Sequence, residues 1–183
     1  MQVISGKYRG RKLISLDTEA TKPTLTRIKG SAFDTIQDCV NDCIFLDLFA
    51  GSGSIGIEAL SRGANRAYFI DNNPEARKII EKNLKNISQE NFVIIIDDCF
   101  NALDILAQKG VTFDVVYLDP PYKSDLYQPC LNMLADKNML SIGAVICMEQ
   151  LSKNSLQDIP ECYTILKSKE YGDKNLTILE YKG

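Results

Sequence analysis

The 183-residue chain contains no histidine. That removes Ser-His-Asp and Cys-His hydrolases, and histidine acid–base chemistry, from the reactions open to it. Its six cysteines, at 39, 43, 99, 130, 147 and 162, form no CxxC pair. Their spacings suit neither a zinc site nor a disulfide framework, so no metal is expected and the thiols read as reduced, small apolar filler. No apolar run approaches the ~18 residues that span a bilayer. The N-terminus "MQVISGKYRGRKL" has no signal-like apolar stretch either. A cytoplasmic protein with no membrane contact is expected. Its chemistry has to be managed by carboxylates, amides, backbone and aromatic groups.

What is there suits one domain with a small appendage, since 45% of the residues are apolar. Charge is unevenly placed. Within residues 1–30, seven Lys/Arg against Asp17 and Glu19 give +5; the remaining fourteen against twenty-two give −8. A basic arm on an acidic body suits a local polyanion contact, with a solvated arm as the plainer reading. Lys7, Arg9 and Arg11 are its candidate contacts.

From residue 44 onward, strands and helices alternate. Strands are expected at 44–49, 66–71, 91–96, 113–118 and 143–149, with a closing hairpin of 162–171 and 175–181. Helices are expected at 54–63, from Pro74 to 87, at 100–110 and within 125–139. Asn73 supplies a cap before Pro74. Near-continuous apolar strands between amphipathic helices imply an α/β fold with a mostly parallel, seven-stranded sheet covered on both faces. Ligands of such sheets sit beyond the C-terminal strand ends. Residues 1–43 read as an extension: two short strands around a glycine turn, then a helix over 24–39. The domain proper is expected over 44–183.

"LDLFAGSGSIGIEAL" places Gly51, Gly53 and Gly56 as GxGxxG between a strand and a helix. Asp71, 20 residues after Gly51 at the next strand's end, can accept from ribose hydroxyls. Asp47 separates the possible ligands. A carboxylate there repels a pyrophosphate, as in NAD, but holds the ammonium of a methionine moiety directly or through water. Asp98, after the third strand, can accept from an adenine amine. Phe49, Asn72 and Cys99 adjoin these acids and complete the cofactor set. Three strand-end carboxylates suit S-adenosylmethionine, which carries an ammonium, a sulfonium and ribose hydroxyls but no phosphate.

"YLDPPYKSD" then acquires a role. An exocyclic amine on a base is a poor nucleophile because its lone pair is delocalised into the ring. Two acceptors aimed at its N–H bonds free that pair. Asp119 Oδ and the backbone C=O of Pro120 can supply them, held by Pro120 and Pro121, which fix the turn. Catalysis is then positioning plus electrostatics. Tyr122 offers a face for a base taken out of its stack.

These motifs, with "ISGKYRGRKL", "TKPTLTRIKGSAFDTI" and "EYGD", resemble over the whole chain the bacterial small-subunit rRNA guanine-N2 methyltransferases of the RsmD type. The resemblance implies a Rossmann-like methyltransferase sheet with a short N-terminal RNA-contacting extension. It implies methyl transfer to the N2 amine of a guanine in 16S rRNA, on the small subunit or its assembly intermediate; a monomer is expected. By match, Gly51, Gly53, Asp71 and Asp98 would bind cofactor, and Asp119, Pro120 and Tyr122 the target base. Lys22, Pro23, Thr24 and Arg27 would form the facing loop and helix start. The family reads T-R-P-T where this chain reads TKPT, so Lys22 keeps the charge but loses the bidentate fork. Gly30 stands inside a helix where the family tends to an acid. The alternative substrates are adenine N6 in DNA and a protein glutamine amide.

Overall fold

The computed structural model describes residues 1–15, 23–121, 125–151 and 159–183, and only the backbone of 23–25. Helices α1 (Pro23–Thr35) and α2 (Gln37–Val40) come first. Strand β1 (Ile44–Asp47), α3 (Ser54–Ser61), β2 (Arg66–Asp71), α4 (Pro74–Asn83) and β3 (Phe92–Ile96) follow. Then come α5 (Cys99–Gln108), β4 (Phe113–Leu118), α6 (Tyr127–Asp136), β5 (Leu140–Leu151), β6 (Tyr163–Tyr171) and β7 (Lys174–Tyr181).

The strands form one sheet in the order β3-β2-β1-β4-β5-β7-β6. The first five are parallel, and β7 runs antiparallel to both β5 and β6. Successive strands step outward from β1 on one side and from β4 on the other, so the switch point lies between β1 and β4. The alternation of strand side chains divides the core. Phe45, Phe69, Val115, Tyr117, Cys147 and Ile178 face the α1, α3 and α4 side. Leu46, Ile70, Val116, Leu118, Ile146 and Leu179 face α5 and α6. Among the described residues no helix is long and apolar enough to cross a membrane.

Local chemistry sets the helix starts. Asn73 Oδ1 accepts from the Glu75 amide and Pro74 occupies the first turn of α4. Asp98 Oδ1 accepts from the Phe100 amide at the start of α5. Gly53 precedes α3 with φ +77°, a left-handed geometry natural to glycine. Gly56 is needed for a different reason: a Cβ there would stand 2.3 Å from the Phe69 ring.

The extension differs from its expected form. The helix over 24–39 breaks into α1 and α2 around Ile36. The two short strands reduce to one bridge between Gln2 and Lys12. The reason lies in α3. Glu58 accepts from the amides of Ile4 (2.8 Å) and Ser5 (3.0 Å), and Ser61 takes those of Lys7 and Tyr8. Amides that would have built a two-stranded ladder are spent on the neighbouring helix. Residues 1–43 also share the main core, through Val3, Leu13, Ile28, Phe33 and Val40.

Candidate active site

The carboxyl ends of β1, β2 and β4 converge at the switch point. Asp47 pairs in register with Phe69 on one side and Tyr117 on the other. Asp47 is 2% exposed, and its Oδ2 accepts from the Gly56 amide at 2.9 Å, so it anchors the start of α3. Burial pushes its carboxyl up to about 7, with the Gly56 N–H pulling back and Asp71 adding to the rise. Asp71 clasps two loops. Its Oδ2 accepts from Gly51 N at 2.7 Å and its Oδ1 from Asn73 N at 2.8 Å. Each carboxylate oxygen keeps a second lone pair for a ligand hydroxyl.

A cleft of about 390 Å³ opens along these ends. It brings together Phe49, Asp71, Asn72, Asp98 and Cys99 with Asp119, Pro120 and Pro121. Asp97, Leu48, Ile70 and Leu126 also line it, and the sequence reading had not singled them out. No Lys or Arg lines it among the described residues. An acid-lined cleft of this kind fits a ligand rich in hydroxyls and positive charge, and opposes a pyrophosphate. A second cavity of about 180 Å³ lies beside it, lined by Asp47, Gly51, Tyr117, Asp119 and Glu149 with Thr26 and Lys29 of α1. Gly53 does not line either space; it shapes the loop through its backbone.

Asp119 lines both spaces, as does Phe49. Burial pushes the Asp119 carboxyl up to about 8, Glu149 adds to the rise, and Lys174 opposes it. Behind it, Glu149 Oε1 accepts from the Tyr117 hydroxyl, and Oε2 lies 3.0 Å from Lys174 Nζ. Glu149 and Lys174 were not found in the sequence. Glu149 closes the expected apolar strand 143–149, although β5 runs on to Leu151, so that signal was available; Lys174 carried none.

The remaining candidates are spread out. Met1 lines the smaller cavity, while the turn carrying Lys7 and Arg9 docks through Lys7 N and Tyr8 N on Ser61, at the far end of α3. Lys7 and Arg11 flank the Tyr8 ring at 5.5 and 6.0 Å, and Arg11 also donates to the Lys85 carbonyl. Arg27 lies in an open groove of about 560 Å³ with Lys167, Lys169 and Tyr171. Gly30 lines that groove too, and a Cβ there would meet only the tip of Ile4 at 3.9 Å. Tyr122, Lys22 and the side chain of Thr24 lie outside what is described.

The family model described as conserved hypothetical protein 95 matches residues 1–180. The chain is 33% identical over 172 residues to the ribosomal RNA small subunit methyltransferase D of Escherichia coli (strain K12), covering 94% of this chain and 85% of that protein. It is 36% identical over 176 residues to the Haemophilus influenzae protein of the same name, covering 94% and 89%. The solved structure of the Escherichia coli protein yhhF superposes with a TM-score of 0.89 at 30% identity, covering 100% of this chain and 98% of that one. The chain belongs to the conserved hypothetical protein 95 family, alongside the ribosomal RNA small subunit methyltransferases D.

Proposed function

We propose that this protein transfers a methyl group from S-adenosylmethionine to the exocyclic N2 amine of a guanine in 16S rRNA of the small ribosomal subunit or its assembly intermediate. It works as a cytoplasmic monomer. One observation carries the reading: Asp119 stands where the acid-lined cleft meets the second cavity, so a single carboxylate reaches both a cofactor and a base. The names of the relatives support the rRNA substrate, and the motifs flanking the core support guanine N2.

S-adenosylmethionine supplies an electrophilic methyl on a positively charged sulfur. In the cleft, Asp71 and Asp98 offer acceptors to ribose hydroxyls and an adenine amine. Asn72, Phe49 and Cys99 shape the walls, Gly51 lets the ligand approach the backbone from the adjoining cavity, and Gly53 shapes the loop that carries it. Asp47 holds an ammonium directly or through water. Asp119 Oδ and the Pro120 carbonyl would accept from the two N–H bonds of the target amine, freeing its lone pair to take the methyl as the donor's S–C bond breaks and a neutral thioether leaves. The surplus proton leaves to Asp119 or to water. Pro121 stiffens the turn and Tyr122 stacks on the base. The Asp119–Pro120–Tyr122 set is the catalytic and target-base unit.

The 1–43 extension guides RNA onto the 44–183 domain. Lys7, Arg9 and Arg11 neutralise phosphates, while Lys22, Thr24 and Arg27 face the target loop.

Asp119→Ala tests the central assignment. Methyl transfer should fall by at least ~10²-fold in kcat, the scale of losing one preorganised transition-state contact. Calorimetry should show S-adenosylmethionine affinity within a few-fold of wild type. A large loss of binding with transfer preserved at saturation would move Asp119 to the cofactor site.

A further inference from the structure

Resting on the reading of Asp119 as the amine acceptor, a further role can be assigned to the residues behind it. Strands β4 and β5 are parallel and pair through Leu118 and Met148. Asp119 and Glu149 are the next residue on each strand, so two carboxylates leave neighbouring chains at the same level. Neighbouring strands lie ~4.8 Å apart, and both side chains line one small cavity. Like charges this close in a largely dry site repel strongly, because little water screens them.

Glu149 is 3% exposed, yet every part of it is held. Tyr117 donates its hydroxyl to Oε1, Lys174 pairs with Oε2 at 3.0 Å, and the Tyr127 hydroxyl donates to the backbone carbonyl. Lys174, 6% exposed, reaches this place because β7 starts beside the carboxyl end of β5, with Lys174 opposite Leu151. A buried ion pair gives little net stability over apolar residues of the same volume. Its position next to the proposed acceptor therefore points to function.

We propose that Tyr117, Glu149 and Lys174 are positioning residues for Asp119, holding its carboxyl at the junction of the two cavities and setting how readily it carries negative charge. All three are assigned to act through Asp119. Glu149 opposes ionisation of Asp119, Lys174 favours it, and Tyr117 pins Glu149 between them. The other charged groups around that cavity among the described residues are Asp47 from β1, Lys29 from α1, the latter paired with Glu58 at 3.3 Å, and Met1 with its α-ammonium. The elevated Asp119 carboxyl, with Glu149 and Lys174 acting in opposite senses, agrees with this arrangement.

The test reads charge directly. Carboxyl-carbon NMR of the free full-length protein follows the Asp119 titration, assigned by its loss in Asp119→Asn. The pH profile of kcat/KM on small subunits is recorded in parallel. Lys174→Met leaves two adjacent carboxyls without the cation paired to Glu149, so the second ionises at higher pH. Glu149→Gln removes the larger opposing carboxylate, leaving Lys174 to favour ionisation against Asp47, so Asp119 ionises at lower pH. Each midpoint should move by about one pH unit or more, in opposite directions. Lys174→Arg should restore the wild-type midpoint, and Tyr117→Phe should lower kcat with KM for S-adenosylmethionine unchanged. Where Lys174→Met does not fold, Glu149→Gln keeps the side-chain shape and its acid-side movement decides alone. Midpoints that stay fixed, or move the same way, overturn the proposal. If the NMR midpoints move as expected while kcat/KM does not follow, the three residues set the charge of Asp119 and the acceptor role falls instead.

Discussion

On the side of the sheet covered by α5 and α6, the buried strand residues are apolar or neutral, including Gln150, Asn175 and Thr177. On the side covered by α1 and α3, the buried set includes Lys29, Asp47, Glu58, Glu149 and Lys174. Both sides contain well-filled hydrophobic cores, so burial alone does not separate them. The difference follows the strand ends. Charges collect where β1, β4 and β5 finish and where β7 begins, and on the two helices that cover that corner. One side of the sheet stabilises the fold by removing apolar surface from water. The other also carries buried charges: Glu58 and Asp47 anchor backbone amides, while Glu149 and Lys174 stand beside the proposed acceptor.

This contrast can be broken by experiment. The largest stability loss is expected at Glu58, which accepts two backbone amides and pairs with Lys29 and with Arg62 at 2.9 Å. Glu58→Ala leaves Lys29 buried without its anion and should cost ~3–5 kcal/mol in denaturant unfolding. Next comes Gly56→Ala, whose new methyl meets the Phe69 ring; overpacking of this kind costs ~1–3 kcal/mol. On the apolar side, Ile146→Val should cost only ~0.5–1.5 kcal/mol and leave the pH dependence of stability unchanged. A larger loss there than at Glu58 would erase the contrast.

The smallest effect is a slope. The Asp47 carboxyl rises from 3.8 to about 7 on folding, so the folded state prefers its protonated form. That contribution is fully present below the unfolded value and is lost as pH rises through about 7. Asp47→Asn removes the titration while keeping an oxygen for the Gly56 amide. The melting temperature of the wild type should therefore fall relative to the variant between mildly acidic and neutral pH. Parallel curves would show that Asp47 stays ionised throughout.

Much of this was legible because it is local. The glycine motif, Asp47, Asp71, Asp98 and the Asp119 turn are each set by a few consecutive residues. They fall where strand ends put them, six of the seven strands keeping their expected start or end. What was not legible is non-local. Strand order depends on which edges find each other, and periodicity is silent on that. Lys174 becomes a partner of Glu149 only after β7 folds back antiparallel beside β5. Glu58 claims the amides of Ile4 and Ser5 across more than fifty residues, which is why the expected N-terminal ladder shrinks to one bridge. The distance of the Lys7–Arg9 turn from the cavities has the same origin. Reversing the charge of Arg9 and Arg11 together should flatten the salt dependence of RNA binding by a slope of about two. An unchanged slope would make the arm a solvated one.

The most direct measurement is the identity of the methylated atom. Small subunits lacking the modification are incubated with the protein and labelled S-adenosylmethionine. The rRNA is then digested to nucleosides and the label located by mass spectrometry. The account predicts N2-methylguanosine at a single site, absent with Asp119→Ala. Label on an adenine amine, on DNA or on a protein glutamine in parallel incubations, with none on guanine, would contradict it.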